Sequence, residues 1–190
     1  MRKTADLASW IFSPLIAIIA TYVVVLANSN LKSQFLGGII ILLAFGIVPS
    51  VLTLYLLKKY KKISDWDISI RKERPLTFSI LFCIALIVMF IYQKFSYTNI
   101  TNLNILLIVQ FLLLFAITLF WKISGHTSTV TIACLVISNI WLPFYWFSGF
   151  IIPVIVWSRV YRKNHTISQA IVGVLLSLVV FQLGLFFKLV

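Results

Sequence analysis

The residues best suited to chemistry lie in the second half of the chain, which holds both of its histidines, His126 and His165. His126 directly follows Ser124 and Gly125, and His165 lies a few residues after Arg159. A hydrophobic chain has little structural use for histidine at a membrane surface. Two histidines flanked by serine, glycine and arginine therefore point to phosphate chemistry.

Two histidines allow a two-step phosphoryl transfer. One ring attacks phosphorus, and the other protonates the leaving oxygen and then activates water. Arginine suits the phosphate because its planar fork binds two oxygens at once, and Arg74 and Arg159 each lie at a predicted boundary between a loop and a helix. A helix predicted to follow Ser124 offers free N–H groups to an anion, and Gly125 lets the backbone approach it closely.

The last predicted helix begins with a second group of polar residues. Gln169 lies four residues after His165, so the two side chains share a helix face and Gln169 is a candidate to orient the ring. The spacing from Thr166 to Gln169 also fits a capping box, and the two roles are compatible. Gly173 and Ser177 continue this face and predict close contact with another helix.

Composition places the chain among integral membrane proteins. Of its 190 residues, 62% are hydrophobic and 11% are charged, and the mean hydropathy is +1.08. We expect a single membrane-embedded domain over residues 1–190. The net charge of +12 is better explained by membrane edges and an anionic substrate than by nucleic acid, which we do not expect as a partner. The two cysteines show no metal-ligand or disulfide spacing.

The apolar segments predict an all-α fold, a polytopic transmembrane helix bundle of six to seven spans, with seven as the preferred count. The predicted spans are Ala8–Asn28, Phe35–Leu57, Leu76–Gln93, Ile105–Trp121, two short spans within Ser128–Trp157, and Ile167–Leu189. Pro14 and Pro49 predict kinks in the first two spans, and Ser96–Asn104 is predicted to be a turn. Trp141–Pro143 and Trp146–Gly149 are predicted to break the 30-residue apolar stretch near its middle.

This span count puts the polar loops that carry the candidate residues on one side of the membrane, together with the N-terminus. That side would hold thirteen of the sixteen Lys and Arg residues, and only Lys32, Lys94 and Lys188 would lie on the other. Positive residues favour the cytoplasmic side, so we expect the site to face the cytoplasm.

Three short motifs in this order resemble those of the type 2 phosphatidic acid phosphatase superfamily, which includes the vanadium haloperoxidases. The family patterns K-x6-R-P, P-S-G-H and S-R-x5-H-x3-D correspond to Asp67–Pro75, Ile123–His126 and Ser158–Gln169 in this chain. The resemblance covers about 25 residues, and its motifs lie at the predicted membrane edges.

The resemblance implies a role for each matching residue. His165 would be the nucleophile and His126 the general acid, and no metal or other cofactor would be needed. The phosphate would be held by Arg74, Ser124, Gly125 and Arg159.

The chain departs from the family patterns at several positions. Asp67 replaces the first-motif lysine, and either Lys72 or Lys122 is a candidate to supply the missing positive charge. Gln169 replaces the acid that orients the nucleophilic histidine; its amide oxygen can accept a hydrogen bond from the ring but carries no charge. Ile123 replaces a proline.

We therefore expect a membrane phosphohydrolase that acts on a lipid phosphate or an isoprenyl (di)phosphate through a phosphohistidine, among membrane lipids. One alternative is a related, non-catalytic protein that binds phospholipid head groups, which the Asp67 and Gln169 departures motivate. Another is a magnesium-dependent intramembrane prenyltransferase built on Asp65, Asp67 and Glu73, although Asp6 is the only acid outside this loop.

Overall fold

The computed structural model describes residues 1–28 and 32–189, and these ranges contain helices and loops but no strand. The helices of the described ranges are α1 Arg2–Ile11, α2 Pro14–Ala27, α3 Lys32–Ile41, α4 Val48–Lys59, α5 Arg74–Lys94, α6 Thr98–Phe120, α7 Gly125–Ile140, α8 Phe144–Tyr161 and α9 Ile167–Phe186. Six helical stretches in these ranges are long and apolar enough to cross a membrane, and α7 is a shorter apolar helix. The predicted polytopic helical bundle is confirmed. The side chain of Lys32, predicted on the far side, lies outside the described part.

The first predicted span consists of two helices. α1 begins at Arg2, well before the predicted boundary at Ala8. The helix ends at Ile11, and α2 begins at Pro14. Ser13 caps α2, and its hydroxyl accepts a hydrogen bond from the N–H of Ile16 at 3.4 Å. Proline at the start of a helix loses no hydrogen bond, whereas inside a continuous helix it removes one. Pro14 therefore ends one helix and starts another, a larger effect than the predicted kink.

A π-helical turn precedes Pro49, where the sequence predicts a kink. This turn, Leu42–Ile47, joins α3 to α4, and Pro49 follows it in the first turn of α4. A proline ring removes one N–H donor and collides with the preceding turn of a regular helix. The wider π turn provides room for the ring while the segment stays helical.

The predicted turn at Ser96–Asn104 is wrong, because α6 already begins at Thr98. Asn104 is buried, accepts a hydrogen bond from the hydroxyl of Tyr22 at 2.6 Å, and donates one to the carbonyl oxygen of Ile100 at 2.8 Å. A buried amide with these partners is compatible with a membrane helix. Its polarity in the sequence therefore marks an inward-facing position and not the end of a span.

The polar loop between α4 and α5 is folded onto one end of the bundle. Ile63 and Ile68 are buried in a cluster with Phe78, Leu114 and Ile123, which come from α5, α6 and the start of the next segment. The loop ends in a 3₁₀ turn that leads directly into α5. These apolar anchors hold the loop's charged residues in defined places.

The long apolar stretch of the second half divides into α7 and α8, as predicted, but at only one of the two proposed breaks. The chain leaves the helix at Trp141 and re-enters it after Pro143. Trp146–Gly149 lies inside α8, where the hydroxyl of Ser148 donates to the carbonyl oxygen of Tyr145 at 2.8 Å. The second predicted break is wrong because this serine finds its partner within the helix.

α7 lies at the centre of the bundle and packs against α2, α8 and α9. Most of its side chains are buried, including hydroxyl residues such as Ser128 and Thr131. Gln110 of α6 donates to the hydroxyls of Ser128 and Ser177, which joins three helices through one buried polar group. Neighbouring helices therefore shield a short helix that is too polar to face lipid.

Candidate functional site

Three segments that are distant in the sequence meet at one end of the bundle. The guanidinium of Arg74, at the first residue of α5, donates to the carbonyl oxygen of Ile123 at 2.8 Å. The N–H of Ser124 donates to the carbonyl oxygen of Gln169 at 3.1 Å. The predicted convergence of the three motif-bearing segments is therefore seen directly.

Arg74 is 3% exposed. Its side chain donates to the carbonyl oxygens of Ile68 at 3.0 Å and Ile123 at 2.8 Å. Within residues 1–28 and 32–189, no carboxylate forms an ion pair with it. A guanidinium has five N–H donors, so Arg74 keeps capacity for an anion, and its buried charge favours one.

The N-terminus of α7 adds backbone donors to this end. Ser124 is the N-cap, and its hydroxyl accepts from the N–H of Thr127 at 3.3 Å. The N–H groups of Gly125 and His126 have no partner among the described residues. A Cβ atom added at Gly125 would meet no heavy atom within 4 Å, so there is open space beside this residue. Free donors next to open space are suited to an anion.

Arg159 lies at the centre of a second group of charges. It is 1% exposed and donates to the carboxylate of Asp67 at 2.8 Å. The same carboxylate accepts from Arg162 at 3.2 Å and from the side chain of Asn164 at 3.3 Å, and its other oxygen lies 3.6 Å from Nε2 of His126. Burial raises the pKa of Asp67, but the charges of Arg159, His126 and Arg162 outweigh this and lower it overall, so Asp67 is ionised.

A single amide oxygen determines the tautomer of His165. Oε1 of Gln169 accepts from the backbone N–H of Thr166 at 3.2 Å, which fixes the orientation of this amide. The same oxygen lies 3.2 Å from Nδ1 of His165, and an oxygen that only accepts requires the proton on Nδ1. The neutral ring therefore carries its lone pair on Nε2. Gln169 has both predicted roles, because the capping box is also complete.

The surroundings of His165 favour its neutral form. Burial, followed by the positive charges of Arg74, Arg159 and Lys122, lowers the pKa of His165 to about 3, against a small opposing effect of the Gln169 hydrogen bond. A neutral imidazole with a free Nε2 is the nucleophilic form of histidine. His165 is therefore uncharged at neutral pH, as a nucleophilic role would require.

We expect the His165 ring to remain uncharged from about pH 5 to pH 8. Its folded-state pKa lies below that of the unfolded chain, so folding favours the neutral ring, and stability falls as the pH drops from about 6.5 towards 3. In ¹³C-histidine NMR of the detergent-solubilised protein, the signal lost in His165→Ala should stay flat across this range. A titration midpoint near 6.5 would contradict the assignment.

α1 covers the charged cluster from the outside. The hydroxyl of Ser9 accepts from both Arg159 and Arg162 at 2.7 Å, and Asp6 pairs with Nε of Arg162 at 2.8 Å. The hydroxyl of Ser158 donates to the carbonyl oxygen of Ala5 at 2.7 Å. The N-terminal helix is therefore part of the wall of the site.

The two candidate substitutes for the first-motif lysine differ in position. Lys122 is partly buried, and burial together with the charges of Arg74 and Arg159 lowers its pKa. Lys72 is exposed in the 3₁₀ turn, and no hydrogen bond or ion pair within the described ranges links it to the cluster. Lys122 is the better placed of the two to supply positive charge.

Close helix packing sets the distance between the two histidine segments. A Cβ atom at Gly173 of α9 would lie 2.8 Å from the carbonyl oxygen of Ser124 and would also collide with the hydroxyl of Thr127. One turn further along α9, the hydroxyl of Ser177 donates to the carbonyl oxygen of Ser128 at 2.7 Å. The predicted small-residue contact at Gly173 and Ser177 is confirmed.

The acids of the α4–α5 loop have separate partners. Asp65 accepts from Ser69, and Glu73 accepts from the backbone N–H of Ser64 at 2.9 Å. Asp67 belongs to the arginine cluster instead. Within the described ranges, no group of three His, Cys, Asp or Glu side chains could hold a metal ion.

Sequence reasoning missed three residues of this site. They are Ser9, which lies within the first predicted span, and Arg162 and Asn164, which lie between Arg159 and His165. A local signal existed for Asn164 alone, because it directly precedes His165.

Compared with family models, with curated proteins and with solved structures, the chain shows no match.

Proposed function

We propose that this protein is a membrane-embedded phosphohydrolase that removes phosphate from a lipid phosphate. The observation that carries the proposal is the neutral His165, with its lone pair on Nε2, beside the buried charges of Arg74 and Arg159. A positioned nucleophile next to two buried guanidinium groups is the combination that phosphoryl transfer requires. The motif resemblance to the type 2 phosphatidic acid phosphatases supports the same reaction class.

The reaction would run in two balanced steps. In the first, Nε2 of His165 forms a bond to phosphorus, the bond between phosphorus and the lipid oxygen breaks, and the leaving oxygen takes a proton from the imidazolium form of His126. Burial lowers the pKa of His126 to about 3, so the imidazolium would form when the negative charge of a bound phosphate favours it. In the second, His126 accepts a proton from water, the water oxygen attacks the phosphohistidine, and the bond between nitrogen and phosphorus breaks. Arg74, Arg159 and the N–H groups at the start of α7 would stabilise the negative oxygens.

The location of the site favours a lipid over a soluble phosphate. The charged cluster lies at the end of an apolar bundle, and on the same end the exposed rings of Trp157 and Tyr161 pack 5.5 Å apart on α8. Trp and Tyr residues are enriched at the head-group level of a bilayer. A phosphorylated head group could reach Arg159 sideways from the leaflet while its chain stays in the membrane. We propose the cytoplasmic leaflet, from the distribution of Lys and Arg.

The experiment is phosphate release from a panel of lipid monophosphates and isoprenyl diphosphates by purified protein in detergent with EDTA. We expect release from at least one lipid substrate, undiminished by the chelator, because every proposed role belongs to a protein side chain or N–H group. Release of diphosphate from the isoprenyl substrates that requires added Mg²⁺ would favour the prenyltransferase class and its acidic loop. No release from any substrate by folded protein would contradict hydrolysis.

A second candidate is a phospholipid head-group-binding protein without turnover. It is favoured by the carboxylate of Asp67 in contact with Arg159 and by the uncharged partner of His165, Gln169. Binding of a lipid phosphate without release of phosphate would support this candidate over the hydrolase.

A further inference from the structure

A carboxylate of the protein itself occupies the middle of the candidate anion site. The side chain of Asp67 is in contact with Arg159, Arg162 and Asn164 through one oxygen, and its other oxygen faces His126. These are the groups that would surround the oxygens of a phosphate. Two arginines and one amide donate to this carboxylate, and the imidazole lies 3.6 Å from it, a set of groups suited to an anion.

The backbone next to Asp67 is strained. Ile68 has a φ of 48°, in the left-handed region that β-branched residues avoid. The conformation is held in place because the Ile68 side chain is buried and its carbonyl oxygen accepts from Nε of Arg74 at 3.0 Å. Such strain persists only where surrounding contacts impose it, and it concentrates at functional sites. Here it directs the preceding carboxylate into the cluster.

The contacts around Asp67 also close the site. The hydroxyl of Ser9 bridges the same two guanidinium groups that hold Asp67, which ties α1 to the charged cluster. Three elements therefore meet at this carboxylate: the α4–α5 loop, α7 and the segment from α8 to α9. α1 joins them through the two arginines. Removing the carboxylate from its position would loosen all of these contacts together.

We infer that Asp67 is a built-in anion that occupies the phosphate position and must be displaced before a phosphate can bind between Arg159 and His126. The inference rests on the phosphate-binding half of the proposed function. A phosphate brings more charge than the carboxylate to the same donors, while the two anions repel each other at such short range. Binding therefore moves the loop around Asp67 outward and leaves Arg159 paired in both states.

The first test compares the affinity for inorganic phosphate, by titration calorimetry in detergent, of the wild type, Asp67→Asn and Glu73→Gln. Asparagine keeps the shape of the side chain and removes its charge. We expect Asp67→Asn to bind phosphate at least about tenfold more tightly, because a like charge leaves the site. Glu73→Gln removes one negative charge from the same loop outside the cluster, and it should change the affinity by less than about twofold.

The second test uses wild-type protein, so it does not depend on how well a variant folds. Amide hydrogen exchange of residues 64–70 is measured with and without saturating phosphate. We expect exchange in this segment to become at least about tenfold faster when phosphate binds, because the displaced carboxylate no longer holds the loop. Unchanged or slower exchange at saturation would overturn the inference.

The outcomes separate this inference from hydrolysis. Tighter phosphate binding by Asp67→Asn without turnover of any lipid would support the built-in anion and contradict hydrolysis. Lipid turnover by the wild type, with equal phosphate affinity in Asp67→Asn and wild type, would overturn the built-in anion and leave hydrolysis intact. Phosphate binding by none of the variants would overturn the inference.

Discussion

Replacement of His165 by alanine is expected to reduce lipid phosphate turnover by a factor on the order of 10³ or more. The variant loses the ring that donates its Nδ1–H to Oε1 of Gln169 and therefore carries its lone pair on Nε2. The proposed phosphate ligands Arg74 and Arg159 are unchanged, so binding of inorganic phosphate should remain. The measurement is initial-rate phosphate release, with calorimetric phosphate binding on the same sample.

Added imidazole provides the control for this loss. In His165→Ala, free imidazole can enter the space of the missing ring and attack phosphorus in its place, which should restore part of the turnover and yield phosphoimidazole. The same addition should leave the wild type unaffected. Turnover by His165→Ala within about tenfold of the wild-type rate would remove His165 as the nucleophile.

Gly173→Ala is expected to reduce turnover by about 10²-fold without changing any side chain that has a proposed chemical role. The new Cβ would lie 2.8 Å from the carbonyl oxygen of Ser124, a backbone atom that cannot rotate away. α9 must therefore move off α7, which shifts His165 relative to His126. Overpacking of this kind also costs about 1–3 kcal/mol of stability, so both turnover and the thermal midpoint should be measured.

Gly149→Ala is the matched control for this variant. It makes the same change within a helix of the same bundle, and its new Cβ would meet no heavy atom within 4 Å. We expect unchanged turnover and a gain of up to about 1 kcal/mol, because alanine favours helix more than glycine does. Equal turnover in Gly173→Ala and Gly149→Ala would show that the α7–α9 contact does not position the two histidine segments.

The spans and the meeting of the motif segments could be predicted because both depend on patterns along the chain. Runs of apolar residues of bilayer length indicate helices, and an even number of spans between two loops puts them on one side. Arg74, Ser124 and His165 therefore came together as expected. The boundaries were less predictable where a polar residue faces inward, as Asn104 does through its hydrogen bond with Tyr22.

The surroundings of Asp67 could not be predicted, because they depend on contacts between residues that are far apart in the sequence. Ser9 and Arg159 are separated by 150 positions, and Asp67 and Arg159 by 92. In the sequence, Asp67 is a departure from a lysine pattern and one of three acids in a candidate magnesium-binding loop. Its place among two arginines follows from the way Ile63 and Ile68 anchor the loop, which no local periodicity reveals.

The most direct test of the central claim is to trap the phosphorylated enzyme. Purified protein is mixed with a labelled lipid phosphate, quenched in alkali within a single turnover, and digested with trypsin. Cleavage after Lys122, Arg159 and Lys163 separates the two histidines into different peptides. We predict the phosphoryl group on the peptide that begins at Asn164 and holds His165. Label on the peptide that holds His126, or turnover with no phosphohistidine, would contradict the account.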